Sequence, residues 1–273
     1  MENWKVLIAC ASEKDIHPEY YEEDPLFVPS KKYVFFNVGK ERFSHPRFEV
    51  INAIDIPGYN SLGRKYAESE IIYNVRKLNL FPECDYIGLM HYDFNFLDNV
   101  SFQTNITALI DSTIKSGVDF ISFFGSFIVN IIGRYNVLFD KRKPNCLFVR
   151  DSGLKDPRSI NDKIVVDIKR VLGIDFNDKV KDMDLAKSKI ALCCSFLAKR
   201  DIFNQAGDLI VDLIDSHCLD GFDTEDRHRF PGQVAERYIA FFSLLFKKAC
   251  FKLDHKFIGG NADINRAWNA ENY

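Results

Sequence analysis

The chain has 273 residues, of which 47% are hydrophobic and 27% are charged, and Phe and Tyr alone contribute 25 and 11 residues. This is the composition of a globular protein that can bury a full core, and it excludes a disordered or fibrous chain. A formal net charge of −3 supplies no bulk basic field for binding nucleic acid.

The cysteines and the amino terminus bear on the cellular compartment. Seven cysteines are scattered without a C-x-x-C pair, so neither a disulfide framework nor a zinc ribbon is predicted. The opening residues lack the basic start and longer apolar stretch of a signal peptide. No segment reaches the ~20 apolar residues of a membrane span. We therefore expect a cytoplasmic protein, with any membrane contact peripheral.

Short apolar runs and helical spacing define the elements of the first half. A long helix is predicted over 62–80, with Asn60 or Ser61 as its N-cap and Pro82 beyond its end. A second helix is predicted over 102–116. Apolar runs that predict strands lie at 5–11, 32–38, 48–54, 86–92 and 118–124.

The second half begins with a less regular region, residues 125–189, in which one helix is predicted near 161–171. An excursion of this length between strands is typical of a lid or a substrate-binding insertion. The sheet is then expected to resume. The elements predicted after it are a strand over 190–197, helices over 200–217 and 231–248, and a strand over 251–257.

A polar alternation follows the strand predicted over 86–92. His91, Asp93 and Asn95 are two residues apart, so in an extended backbone they project to the same face. In open α/β sheets, ligands bind at the carboxyl ends of the strands. The oxygens of Asp93 and Asn95 suit Mg²⁺ or Mn²⁺, although an Asp-x-Asn triplet alone more often marks a turn than a metal site.

Three segments resemble a known family. Residues 86–92, Tyr-Ile-Gly-Leu-Met-His-Tyr, resemble the "Y-x-G-L-x-H-Y-R-R-Y-F" block of domain-of-unknown-function family 4422, bacterial glycosyltransferases of capsular and surface polysaccharides. Residues 60–68 are similar to its "N-I-S-x-K-N-x-x-Y-x-E" segment, and residues 232–237 to its "G-F-x-x-E-R" segment. Asp93 and Phe94 replace two arginines of the family. This departure is toward the Asp-x-Asp motif of GT-A glycosyltransferases.

The resemblance implies a metal-assisted transferase with a nucleotide-sugar donor, for which a UDP-sugar is favoured. Asp93 and Asn95 would hold Mn²⁺ or Mg²⁺. His255 resembles the late histidine that closes the metal or diphosphate site in many GT-A enzymes. A lone histidine is more often structural or exposed, so this assignment rests on the resemblance.

The donor site implied by the resemblance includes His91 and the segment 60–68. Asn60, Arg64 and Glu68 are four residues apart and would share one face of the predicted helix. In the functional interpretation Arg64 meets a donor phosphate or the sugar, and Glu68 orients it. The same spacing also fits a solvated ion pair.

An inverting transfer requires a carboxylate that deprotonates the acceptor hydroxyl. Glu236 lies within the 232–237 segment. Asp226 belongs to Thr224-Glu225-Asp226, which resembles the acidic x-Glu-Asp feature of many GT-A enzymes. Glu236 is slightly favoured over Asp226 as this base. Either residue could equally be an exposed surface carboxylate. A retaining mechanism stays open.

The predicted architecture is a single GT-A-like, Rossmann-like α/β domain over 1–273, with a mostly parallel central sheet. Its donor-binding half is about 1–124, and its acceptor-side half, with an irregular insertion, is about 125–273. The predicted acceptor is a glycan or a lipid-linked glycan of polysaccharide biosynthesis. A metal-dependent phosphohydrolase or nucleotidyltransferase is a second hypothesis, although the sequence shows no second acidic cluster or Gly-rich phosphate loop. A non-catalytic carbohydrate-binding protein is the third.

Overall fold

The computed structural model describes residues 3–16, 31–63, 65–66, 68–91, 106–123, 125–127, 137–139, 147–149, 157–184, 188–191, 194–219 and 230–251. Within these ranges the chain forms eleven strands and six α-helices. None of the helices in this part of the chain is long and apolar enough to cross a membrane.

A seven-stranded sheet forms the centre of the fold. Its strand order is β11-β5-β10-β4-β1-β2-β3, and all neighbours are parallel except β10, which is antiparallel to β4 and β5. Two antiparallel pairs, β6 with β9 and β7 with β8, form separate small sheets. The strands are β1 Trp4–Cys10, β2 Tyr33–Asn37, β3 Val50–Asn52, β4 Tyr86–His91, β5 Phe120–Ser122, β6 Gly125–Phe127, β7 Val137–Phe139, β8 Leu147–Val149, β9 Lys189–Ala191, β10 Phe196–Lys199 and β11 Lys248–Cys250.

Helices cover both faces of the large sheet. Tyr86 and Leu89 lie three residues apart on β4, so they point to opposite faces, and they pair with Trp4 and Phe196 respectively. The Trp4 indole donates a hydrogen bond to a carboxylate of α2 (Ile106–Lys115), whereas the ring of Phe196 packs 5.9 Å from that of Phe203 on α5 (Arg200–Asp215). The helices are α1 Ser69–Lys77, α2 Ile106–Lys115, α3 Pro157–Leu172, α4 Phe176–Val180, α5 Arg200–Asp215 and α6 Phe230–Phe242.

The central strands are buried on both faces, which explains their continuous apolar runs. Phe35 and Phe36 are neighbours on β2 and point to opposite faces, yet both are fully buried. The backbones of β4 and β10 approach closely at Gly88. A Cβ there would lie 2.0 Å from the carbonyl oxygen of Phe196, so a larger residue would not fit. The mixed α/β fold with a mostly parallel sheet, expected from the sequence, is therefore confirmed.

The predicted strand over 190–197 is wrong as a single element. It comprises β9 and β10, which belong to two different sheets. Cys194 lies between them with a φ of 48°, a left-handed conformation that no strand continues through. The end of the chain also differs, since α6 ends at Phe242 and β11 begins at Lys248, where the sequence predicted one helix to 248.

The long helix predicted over 62–80 is much shorter. It begins at Ser69 and ends at Lys77. Gly63 has a φ of 73°, and the backbone N–H groups of Leu62 and Gly63 donate to the carboxylate of Glu70 instead of entering a helix. The apolar spacing over 62–68 therefore reflects packing of an irregular segment, not a helical face.

The later start of α1 leaves two of the candidate residues outside the helix. Asn60 and Glu68 both precede α1, so they do not share a helical face as the four-residue spacing predicted. Arg64 lies outside the described residues. Any common role of these residues must come from the path of the segment before the helix.

Candidate functional site

The candidate site lies at the carboxyl ends of the central strands. From β1 the chain passes to β2 on one side, while β4 pairs with β1 on the other side. This reversal creates a switch point between β1 and β4, where open α/β sheets bind ligands. His91 is the last residue of β4 and pairs in register with Ala9 of β1. His91 therefore lies at the switch point.

Glu68 and His91 form the centre of the site. Glu68 Oε1 lies 2.5 Å from His91 Nε2, and their side chains are 4% and 17% exposed. At this distance a ring N–H at Nε2 can donate a hydrogen bond to the carboxylate. Two residues predicted to contact the donor, 23 positions apart in the sequence, thus meet at the end of the central strand.

The resemblance segment 232–237 contacts the segment 60–68 at the start of α6. The Gly232 N–H donates to the Lys65 carbonyl at 2.8 Å. This amide lies in the first turn of α6, where backbone N–H groups have no partner within the helix. A Cβ at Gly232 would lie 3.2 Å from the carbonyl oxygens of Lys65 and Tyr66. The start of α6 therefore lies directly against the segment that leads to Glu68.

Glu236 and Arg237 follow one turn along α6. A helical turn advances about 5.4 Å, so both residues remain near the contact at Gly232. Glu236 and Arg237 have side chains 20% and 11% exposed, and Glu236 Oε2 lies 4.0 Å from Arg237 Nη1. Glu236 is thus partly accessible beside a largely buried cation, which is compatible with a role in proton transfer.

Asn60 is held by its backbone. Its N–H donates to Asn74 Oδ1 at 2.8 Å, and its carbonyl accepts from Asn74 Nδ2 at 2.9 Å. Asn60 itself is exposed. Its side chain is therefore presented on the surface at a fixed point of the segment that precedes α1.

Five of the predicted site residues lie outside the described residues: Arg64, Asp93, Asn95, Asp226 and His255. Their roles stay predictions. Within the part of the chain that the structure describes, no group of three or more His, Cys, Asp or Glu side chains could hold a metal ion.

Sequence reasoning missed Glu70, the most unusual carboxyl group of this region. It is 2% exposed, and burial raises its pKa to about 7 against the opposing effect of hydrogen bonds from Tyr59, Leu62 and Gly63. A glutamate in the first turn of an apolar helix is ordinarily explained by the helix dipole. In the sequence, the nearby Gly63 was the signal for a loop, and not another helical turn, beside this carboxylate.

Comparison with known proteins supports the architecture. No protein-family model matches the chain, and no curated protein matches it in sequence. Among solved structures, the chain is similar to the apo structure of WbbM, a bifunctional glycosyltransferase, with a TM-score of 0.55 and 16% identity. The similarity covers 95% of this chain and 47% of that chain, so this chain spans about half the length of that protein. At this identity the comparison shows a shared fold.

Proposed function

We propose that this chain is a glycosyltransferase that moves a sugar from a nucleotide-diphosphate sugar, with a UDP-sugar favoured, to a glycan or lipid-linked glycan. The observation that carries the proposal is the Glu68–His91 pair at the carboxyl end of β4. It lies at the switch point of a fold that is also found in a glycosyltransferase. Activity in the cytoplasm, in polysaccharide biosynthesis, is part of the proposal.

His91 and Glu68 are proposed to bind the donor diphosphate. An imidazole whose Nε2 proton is held by a carboxylate can carry a positive charge, and its Nδ1 is then a second donor. A charged imidazole at this edge of the sheet suits the phosphate oxygens of a nucleotide diphosphate. Glu68 fixes the ring orientation, and Asn60 and Arg64, from the same segment, are proposed to contact the donor.

A divalent cation is proposed to assist. Asp93 follows His91 by two residues, and the oxygens of Asp93 and Asn95, with His255 closing the site, fit Mn²⁺ or Mg²⁺ by donor chemistry. The cation would neutralise the charge that develops on the departing nucleotide diphosphate.

Glu236 is proposed as the base of an inverting displacement, with Asp226 as the alternative. Glu236→Gln retains the size of the side chain and removes the proton acceptor, so turnover should fall by roughly 10²–10⁴ with little change in donor affinity. Asp226→Asn should then be mild. The reverse pattern would assign the base to Asp226, and two mild variants would favour a retaining mechanism.

The direct test is ligand binding followed by transfer. A panel of UDP- and GDP-sugars is screened by thermal unfolding with and without Mn²⁺, because a ligand that binds only the native state stabilises it. A Mn²⁺-dependent rise in Tm with one donor, lost in Asp93→Ala, is the expected result. Asp182→Ala, an exposed carboxylate beyond α4, is the control and should respond as the wild type does.

Two outcomes would contradict the proposal. A flat response across the panel would favour a non-catalytic carbohydrate-binding protein. Release of phosphate or nucleotide from the donor at the same rate with and without an acceptor glycan would favour a phosphohydrolase.

A further inference from the structure

Glu70 and Asn74 of α1 are buried although polar groups are costly to remove from water. Glu70 is 2% exposed and Asn74 is 1% exposed. They lie four residues apart, so they occupy the same side of the helix, one turn above the other. Their hydrogen bonds reach the segment 59–63, which precedes the helix.

Glu70 accepts three hydrogen bonds from that segment. The Tyr59 hydroxyl donates to Oε1 at 2.9 Å, and the N–H groups of Leu62 and Gly63 donate to Oε2 at 2.7 and 2.8 Å. Two successive backbone amides aimed at one oxygen fix the orientation of both peptide planes. The ring of Tyr59 also packs 5.9 Å from Phe36 of β2, which ties the segment to the sheet.

Asn74 holds the backbone of Asn60 in place. Its amide oxygen accepts from the Asn60 N–H, and its amide nitrogen donates to the Asn60 carbonyl and to the Glu70 carbonyl. One side chain therefore bonds both backbone groups of a single residue. This arrangement sets the direction in which the Asn60 side chain leaves the backbone.

The middle of the segment lies at the surface. Asn60 and Ser61 are exposed, so water could satisfy the backbone groups of a looser segment. The same segment continues through Lys65, whose carbonyl accepts a hydrogen bond from Gly232 of α6, to Glu68. The carboxylate of Glu68 contacts His91 at the end of β4. A shift of residues 60–63 would therefore be transmitted to the Glu68–His91 pair.

We propose that Glu70 and Asn74 are positioning residues of the donor site, which hold the segment 59–63 so that Asn60 and Glu68 stand in register with His91. This inference rests on the proposed function. Neither Glu70 nor Asn74 is expected to touch the substrate. They act through the backbone of the segment and through Tyr59.

The chemistry of the contacts predicts which substitutions the arrangement tolerates. In Glu70→Gln the amide oxygen can accept from Leu62 and Gly63, and its NH₂ group can donate to the Tyr59 hydroxyl oxygen. In Glu70→Ala all three partners lose their acceptor. Glu70→Gln should therefore preserve the segment, and Glu70→Ala should release it. The same reversal of the Tyr59 bond accommodates a proton on Glu70.

The first measurement does not depend on activity. Hydrogen–deuterium exchange of peptides covering residues 59–66 should be faster in Glu70→Ala by about tenfold or more, because local opening exposes the amides of Leu62 and Gly63. Glu70→Gln should exchange as the wild type does. Ile110→Ala, which truncates a fully buried side chain in α2, is the control for general destabilisation and should leave these peptides protected.

The second measurement is the kinetic split with the donor identified in the panel. Glu70→Ala and Asn74→Ala should raise the donor KM by about tenfold while kcat changes much less, and Glu70→Gln should restore the wild-type KM. Ile110→Ala, the control for general destabilisation, should leave the donor KM unchanged. A purely structural role would affect the α1 variants and Ile110→Ala alike.

The outcomes separate this inference from the proposed function. Unchanged exchange in Glu70→Ala would overturn the positioning role, and so would faster exchange with an unchanged donor KM. If the wild-type protein binds and transfers no sugar, the proposed function fails, while the exchange experiment still decides whether Glu70 holds the segment. Failure of Glu70→Gln to rescue would instead assign the carboxylate itself a role in the site.

Discussion

Substitution of Glu70 by Gln should change how stability depends on pH. In the folded protein, burial raises the pKa of Glu70 from 4.5 to about 7. The folded state therefore binds this proton more tightly than the unfolded chain does. The stability contributed by binding a proton at Glu70 is fully present below about pH 4.5 and is lost as the pH rises to about 7. Above that value, the folded protein holds a buried carboxylate.

The magnitude follows from the two pKa values. Their difference corresponds to about 3 kcal/mol in the free energy of unfolding between pH 4.5 and pH 8. Gln is neutral throughout this range and retains the acceptor for Leu62 and Gly63. Glu70→Gln should therefore match the wild type near pH 5 and exceed its stability by up to about 3 kcal/mol at pH 8.

The assay is thermal unfolding at pH 5, 6, 7 and 8 at constant ionic strength. For a chain of this size, 1 kcal/mol shifts Tm by about 2–4 °C, so the gain at pH 8 should be up to about 6–12 °C. Glu41→Gln, the same change at an exposed position, is the control and should follow the wild type.

Two results would refute the reasoning. Parallel Tm curves for the wild type and Glu70→Gln from pH 5 to pH 8 would show that burial costs this carboxylate nothing. A Glu70→Gln variant that is less stable at pH 8 would show that its three donors outweigh the desolvation.

Four further substitutions test the site and its support. Gly232→Ala places a Cβ 3.2 Å from two carbonyl oxygens, so we expect a loss of about 1 kcal/mol in urea unfolding and a raised donor KM. Asp93→Ala should abolish Mn²⁺-dependent transfer and leave Tm without ligand unchanged. Asn95→Ala should lose less transfer activity, because a neutral amide binds a cation more weakly. Undiminished transfer by Asp93→Ala in Mn²⁺ would contradict the metal assignment. Tyr238→Phe removes the donor to the buried Asp167 carboxylate at 2.6 Å, and a loss of about 1–3 kcal/mol in urea unfolding is expected, with an unchanged midpoint as the contrary result.

The central sheet could be predicted because its strands have a pattern that depends on burial alone. β1, β2 and β4 are covered on both faces, so their sequences are continuous apolar runs. The run 190–197 has the same composition, yet it divides between two sheets at Cys194. Composition does not encode a left-handed turn at a non-glycine residue, so the division was not predictable from the apolar pattern.

The site could be predicted in part for a related reason. Resemblance selected Glu68 and His91 separately, but their 2.5 Å contact depends on where the segment before α1 crosses the end of β4. Residue spacing suggested instead a helical face shared by Asn60, Arg64 and Glu68. That error arose because tertiary hydrogen bonds to Glu70 and Asn74 override the helical pattern of 62–68.

The two glutamates at the start of α1 show how one short segment can serve both the fold and the site. Glu68 is the N-cap residue of α1, and Glu70 lies in its first turn. Successive residues of a helix are about 100° apart, so positions 68 and 70 point in nearly opposite directions. One carboxylate therefore reaches His91 at the end of β4, while the other turns back to the segment 59–63. The helix dipole favours a carboxylate at the amino terminus of a helix, whereas burial of Glu70 favours its protonated form. The register of α1 thus sets both contacts at once, and a one-residue shift of the helix start would turn both carboxylates away from their partners.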